Sequence, residues 1–391
     1  MDVFEKCYSY DEPQRAMEAG IYPYFHALET AQDTEVVISG KDIIMLGSNN
    51  YMGLVNDPRL KKAAIAAIER FGTGCSGSRF LNGTLVLHEE LEREFAEFFN
   101  KKAALSFSTG FQTNLGTVAG LLGRHDYILS DSENHASLVD AARLSYCKKN
   151  IKYGHSDMED LEYKLSRLGE DAGKLIITDG VFSMSGEIAK LPDIVRLAKK
   201  YGARIMVDDA HGAGMIGKGG RGTASYFELE DDVDIIMTTF SKSFGSLGGV
   251  IAADEKVINF IKHRSRPFIF SASIPAANAA AALEALKIIR SEPERMKRLL
   301  DVSNYMRKKL TELEIPIMEG TTAIIPIFTY AQDRTFIAAK LLFENGVYVN
   351  PVIPPAVCED ECLLRTSYTA THTFEQMDRA ADIFARVLKS I

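Results

Sequence analysis

The sequence predicts an α/β protein with a mainly parallel central sheet flanked by helices, followed by a smaller C-terminal α+β domain. Two observations carry this. From about residue 46 to 285, short apolar runs alternate with amphipathic helical periods, the pattern of a sheet covered on both faces. Near residue 286 the alternation stops, and a long charged helical stretch takes over. At 391 residues the chain also exceeds a typical single core. The expected divisions are an N-terminal segment (1–45), a large domain (46–285) and a small C-terminal domain (286–391).

The elements follow in order. EVVISGKDIIMLGS reads as a hairpin turning at Gly40. Pro58–Phe71 and Leu85–Phe99 read as amphipathic helices. Ala103–Ser108, Tyr127–Asp131, Ile151–Tyr153, Leu175–Asp179, Ile205–Asp208, Ile235–Thr239 and Val250–Ala253 are short apolar runs of strand length. The helices Phe111–Leu122, Met158–Leu168 and Asp193–Tyr201 fall between them. Ile274–Ile289 is an alanine-rich buried helix; Asn278 and Glu284 keep it from being a membrane span. The helix Glu292–Leu313 opens the small domain, which continues through Val347–Asn350, Leu363–Ser367 and a last amphipathic helix.

Composition is that of an ordinary globular protein, with 46% hydrophobic and 25% charged residues. A net charge of −8 argues against nucleic acid as a main partner. Five scattered cysteines read as reduced cytosolic thiols, and Cys358 and Cys362 lack the second pair of a zinc site. The N-terminus has no apolar h-region, so the expected location is the cytoplasm. Gly72–Thr84 lacks the lysine of a phosphate-binding P-loop, and the glycine run 217–222 reads as a mobile turn.

The chemistry concentrates at strand ends. Ile205–Asp208 leads into Asp208-x-x-His211, and Ile235–Thr239 into Thr239-x-x-Lys242. Pyridoxal 5′-phosphate (PLP) needs such groups: a lysine amine for its aldehyde and a carboxylate for its pyridine nitrogen. His211 could bond the ring hydroxyl. Taken singly, the lysine is an ordinary surface residue and the aspartate a turn former. Parallel strands would bring all three to one carboxyl edge, where ligands of open sheets bind. Ser108, Thr109, Gly110 and Phe111 open a helix after a strand, a site for phosphate. Thr239, Ser271 and Ser273 offer further hydroxyls, and Ser183 ends another strand segment. His135 is open to two uses, a helix cap or an imidazole stacked on a pyridine ring. Arg365, in a near-apolar strand, is either a structural ion pair or a clamp for a substrate carboxylate.

NNYMGL (49–54), GSRFLNGT, STGFQTN, ENHAS, DGVFSMSGEIAKLP, VDDAHGAG, TTFSKSFG and LLRTSYTATHT together resemble the α-oxoamine synthases, fold-type I PLP enzymes, almost end to end. The resemblance implies a decarboxylating condensation of an amino acid with an acyl-CoA. It makes Lys242 the Schiff-base lysine and general base, Asp208 the pyridinium partner and His211 the ring-hydroxyl partner, with His135 stacked on the ring. Gly110, Phe111, Ser183 and Thr239 would hold the phosphate, and Asn50 and Arg365 the substrate. Ser271 and Ser273 would serve the other subunit of a homodimer. Ser241-Lys242-Ser243 replaces the Gly-Lys-Ala common in the family, and with GVYVNPVIPPA it is similar to the branch that joins L-serine to a long-chain acyl-CoA. Cysteate, alanine and glycine are the alternative amino acids, and an inactive partner subunit is the alternative to an enzyme. The intact Lys242 argues against the last. Peripheral membrane contact stays open.

Overall fold

In the computed structural model, which describes residues 2–391, the N-terminal hairpin forms as its sequence predicts. Strands β1 (Glu35–Ile38) and β2 (Lys41–Met45) pair antiparallel across Ser39 and Gly40. Both turn residues have positive φ, the geometry that a two-residue hairpin requires and that glycine adopts without strain.

The larger of two compact units, Asn49–Leu300, is built on a seven-stranded sheet. Its strands are β3 (Ala103–Phe107), β4 (Asp126–Asp131), β5 (Lys149–Tyr153), β6 (Gly173–Asp179), β7 (Arg204–Asp208), β8 (Ile235–Thr239) and β9 (Gly249–Ala253), in the order β3-β9-β8-β7-β6-β4-β5. Strands β4 to β8 are parallel; β9 runs antiparallel to both β3 and β8. Every residue of β8 and β9 is buried, as expected of strands covered on both faces. Register places Asp179 beside Asp208, and Asp208 beside Met237. The carboxyl ends of β6, β7 and β8 therefore open on one edge.

The helices hold this sheet from both sides. Pro58–Phe71 is capped by Asp57, whose side chain accepts from the Arg59 N–H. The alanine-rich helix runs from Ala276 to Ser291, later than expected at its start because Pro275 takes the N-cap. Its Ala276 and Ala280 pack against Ala67 of Pro58–Phe71, small residues that let the two backbones approach. Among the described residues, no helix is long and apolar enough to cross a membrane.

The smaller unit comprises the chain up to Ser48 together with Asp301–Ile391. It adds β10 (Ile324–Tyr330), β11 (Val347–Tyr348), β12 (Asn350–Val352) and β13 (Cys362–Ser367). β11 pairs parallel with β2, which makes the N-terminal segment part of this unit rather than a separate one. β10, β13 and β12 form an antiparallel sheet with Pro351 on an edge strand, where its missing N–H is tolerated. The expected strand Val347–Asn350 is thus split between two sheets. The division between units falls at Leu300–Asp301 rather than near 286.

Candidate active site

At the carboxyl edge of the large sheet lies a cavity of about 250 Å³. Its lining includes Thr109, Gly110, Phe111, His135, Asp208, His211, Thr239 and Lys242, residues picked out from the sequence. Each arrives by the same device: an apolar strand ends, and the next residues turn toward the cavity. Past β8, Phe240 turns inward against Phe95, 4.9 Å between ring centroids, while Ser241 and Lys242 line the cavity.

Both oxygens of Asp208 accept from N–H groups, Oδ1 from Ala210 N (3.0 Å) and Oδ2 from Asn114 Nδ2 (2.6 Å). These donors solvate a carboxylate that is 4% exposed. Asn114 Nδ2 also donates to Ser137 Oγ (2.8 Å), and Ser137 Oγ lies 2.7 Å from His135 Nδ1. Since Nδ1 also accepts the Ser137 backbone N–H (3.2 Å), it carries no proton. The hydroxyl therefore donates to it, and the imidazole proton sits on Nε2. Withdrawal from water lowers the pKa of His135; the charge of Asp208 opposes this and that of Lys242 adds to it. His135 is thus held as a neutral ring with a defined donor.

Asp179, beside Asp208, was not foreseen as a site residue. Burial raises its pKa well above the carboxylate range, and the charge of Asp208 raises it further. Its carboxyl accepts the His135 backbone N–H at 3.3 Å. Tyr51 is a second omission: its hydroxyl shares a 2.7 Å hydrogen bond with His211 Nδ1.

Another part of the lining is the start of a helix. Thr109 caps the helix Gly110–Leu121, taking the N–H of Gln112 on its hydroxyl and that of Thr113 on its carbonyl. The N–H groups of Gly110 and Phe111 remain at the cavity, at the positive end of the helix. Gly110 must be glycine here, because a Cβ would sit 2.7 Å from Thr239 Oγ1. Thr239 Oγ1 in turn accepts the Ser241 N–H at 3.3 Å.

The other predicted residues lie outside this lining. Ser108 Oγ donates to the Ala272 carbonyl, Ser271 Oγ accepts from Gln112 Nε2 (3.1 Å), and Ser273 Oγ donates to the Gly77 carbonyl (3.1 Å). Ser183 is partly buried in the turn after β6. Asn50 Oδ1 accepts the N–H groups of Leu54 and Val55, organising the NNYMGL turn. Arg365 is buried on β13 of the smaller unit, with Nη1 3.4 Å from Ser367 Oγ. The glycine run 217–222, expected as a mobile turn, is pinned: Asp209 accepts from both the N–H and the hydroxyl of the following Thr223.

The aminotransferase class I and II family model matches residues 41–384. A serine palmitoyltransferase of Sphingobacterium spiritivorum is 51% identical over 370 residues, 95% of this chain and 92% of that protein. One from Bacteroides ovatus is 49% identical over 387 residues, 99% and 98% of the two chains. Among solved structures, a serine palmitoyltransferase from S. paucimobilis with PLP and myriocin bound has a TM-score of 0.95 at 33% identity, covering 100% of this chain and 99% of that one.

Proposed function

The chain belongs to the aminotransferase class I and II family, and from that premise we propose that it is a PLP-dependent acyltransferase of the serine palmitoyltransferase type. It condenses L-serine with a long-chain acyl-CoA, palmitoyl-CoA, to 3-oxosphinganine, CO2 and CoA, opening sphingolipid synthesis. The observation that carries this reading is the joining of Lys242, Asp208 and His135 at one cavity that a helix N-terminus also lines.

The donor set fits PLP. Lys242 offers an amine for the aldehyde, Asp208 a hydrogen-bonded carboxylate for the pyridine nitrogen, and His211 a partner for the ring hydroxyl. Gly110 and Phe111 offer backbone N–H donors for the phosphate, and Thr239, whose hydroxyl donates to the Gly248 carbonyl at 3.0 Å, is assigned to the same side. When bound, PLP supplies an electron-accepting ring that stabilises negative charge at the amino acid's α-carbon. The protein's own tasks follow from its geometry. Asp208, fixed by Asn114 and Ala210, holds the proton on the pyridine nitrogen. Lys242 takes the α-proton and later returns one. His135 presents Nε2–H as a donor to a substrate oxygen. Arg365 receives the substrate carboxylate.

We read the working form as a cytoplasmic homodimer, consistent with an acyl-CoA substrate. Ser271 and Ser273, outside the lining of their own cavity, then serve the cofactor of the partner subunit. Mass spectrometry of products tests the assignment. PLP-loaded protein receives palmitoyl-CoA with L-serine, L-cysteate, L-alanine or glycine in separate reactions. Product from serine alone is expected. Product only from another amino acid moves the enzyme to a sister reaction, and no product from any overturns the acyl donor assigned here.

A further inference from the structure

A second side-chain cluster occupies the same edge of the sheet without lining the cavity. Two residues past β5, His155 has a side chain 19% exposed. Its Nδ1 lies 2.9 Å from Asp131 Oδ1, and its Nε2 lies 3.1 Å from Glu187 Oε2 and 3.6 Å from Glu133 Oε2. Both ring nitrogens therefore face carboxylate oxygens. A neutral imidazole has one N–H and cannot serve both sides; the imidazolium has two. Ser156 reinforces the same contacts, its N–H donating to Asp131 Oδ2 (3.0 Å) and its hydroxyl to Glu187 Oε1 (3.3 Å). Phe182 closes the cluster, its ring perpendicular to the imidazole at 4.4 Å.

The segments joined in this way carry active-site residues. Asp131 ends β4, and with Glu133 it stands in the short connection to His135. Glu187 belongs to the turn bounded by the bridge between Val181 and Ile188. That turn carries Ser183, and Val181 is a wall of the cavity. The Phe182 N–H donates to the Glu187 carbonyl (2.9 Å), so a shift of Glu187 is transmitted to Val181 through one residue.

We infer that His155 is a positioning residue: as an imidazolium it fastens the His135 segment to the Val181–Ile188 turn, and so sets the face and wall against which the amino-acid substrate lies. The inference rests on the reaction proposed above for its substrate, but not for its geometry. Burial works against charge on His155, yet the hydrogen bond and charge of Asp131, with Glu133 and Glu187, raise its pKa to about 9. A histidine whose folded pKa is raised makes a contribution that is full below the unfolded value of about 6.5 and is lost as pH climbs from there through the folded value. The other titratable groups at the cluster are Lys190, whose Nζ donates to the Ser156 carbonyl (3.0 Å), and Tyr153. Burial raises the pKa of Tyr153, and the charge of Asp131 adds to it, so its phenol stays neutral throughout.

The test uses PLP-loaded wild type and His155→Gln, which keeps a donor but not the charge. The visible circular dichroism of the bound cofactor is read first, without substrate. Amino-acid affinity is then titrated spectroscopically from pH 7 to 10, followed by KM for each substrate. The variant is expected to retain PLP, change the dichroic band, and bind the amino acid about tenfold more weakly at neutral pH, the value of roughly one hydrogen bond. The wild-type advantage should shrink as pH climbs through about 9. An unchanged band with equal affinity, or an advantage independent of pH, overturns the inference. Should the variant fail to fold, Glu187→Gln loosens the same joint from the other side. It should move the affinity in the same direction, and an unchanged affinity overturns the inference equally. If serine proves not to be the substrate, the cofactor's dichroic band still reports on His155.

Discussion

Asn114→Ala is the substitution that separates an organised cofactor site from a mere gathering of polar groups. Asn114 lies one helical turn inside Gly110–Leu121, fully buried, and its amide nitrogen serves both Asp208 and Ser137. Its own Oδ1 is buried without a hydrogen-bond partner, which costs about 1–3 kcal/mol. A residue kept at that cost is kept for its NH2 group. Removing a hydrogen bond to a charged acceptor loses about 1.5–3 kcal/mol. In the empty cavity water can replace the lost donor, but with the pyridine ring seated it cannot. The loss therefore falls on the loaded state, and PLP affinity should drop roughly ten- to hundredfold, at 1.4 kcal/mol per factor of ten. Asn114→Asp should be worse, placing a second carboxylate against Asp208, and should recover in part as pH falls into the carboxylate range. The assay is titration of dialysed apoprotein with PLP, followed by absorbance, with far-ultraviolet circular dichroism to verify folding. A folded Asn114→Ala protein binding PLP within twofold of wild type would refute the claim that this amide orients Asp208.

Lys242→Ala should still take up PLP but lose turnover and the absorbance of the lysine-linked cofactor; surviving turnover sinks the assignment of the base. Arg365→Ala should leave the cofactor spectrum intact while weakening amino-acid affinity by roughly ten- to hundredfold, the value of a charge-assisted pair. Unchanged affinity in a spectral titration removes Arg365 from the substrate site. Tyr51→Phe deletes the 2.7 Å contact to His211 and should weaken PLP binding by roughly two- to tenfold, the range for one hydrogen bond. No change would mean His211 is held by other groups. His372 is fully buried, its Nδ1 accepting the Thr369 N–H at 2.9 Å, and burial lowers its pKa to about 4. The unfolded chain takes up this proton near pH 6.5, so stability is full above that value and is lost as pH falls toward 4. Between pH 7 and 5 the loss amounts to about 2 kcal/mol. His372→Gln should flatten that part of the urea-denaturation profile, and an identical acid slope would contradict it.

The parts of this protein that could be read along the chain are those in which local sequence and tertiary position agree. Each strand at the cavity is a short apolar run closed by a polar residue, so burial and function are written within a few positions of each other: Ile205–Asp208, Ile235–Thr239 and the approach to Lys242. The reversal of β9 was legible too, though only by length. Residues 240–248 leave no room for the crossover of a dozen or more residues that a parallel strand needs, so β9 must run back against β8. What escaped is non-local. β2 finds β11 across some three hundred positions, and nothing in KDIIM names that partner.

The missed site residues divide on the same principle. Asn114 was within reach, four positions after Gly110 on a helix and hence on the same face toward the cavity. Asp179 also stood in view as the last residue of an apolar strand, and parallel register alone puts it beside Asp208. Tyr51 had no such marker, because its contact with His211 spans 160 positions and depends on how a turn organised by Asn50 lies against the end of β7. His155 was not singled out in the sequence. Followed by Ser156 and by Asp157, which caps the next helix, it reads as part of a helix start. Its chemistry comes instead from Asp131, Glu133 and Glu187, on two other segments. A strand end shows where a catalytic group emerges. Which neighbours hold that group in its working protonation state is decided by sheet order, because adjacent parallel strands bring together connections that lie far apart in the chain.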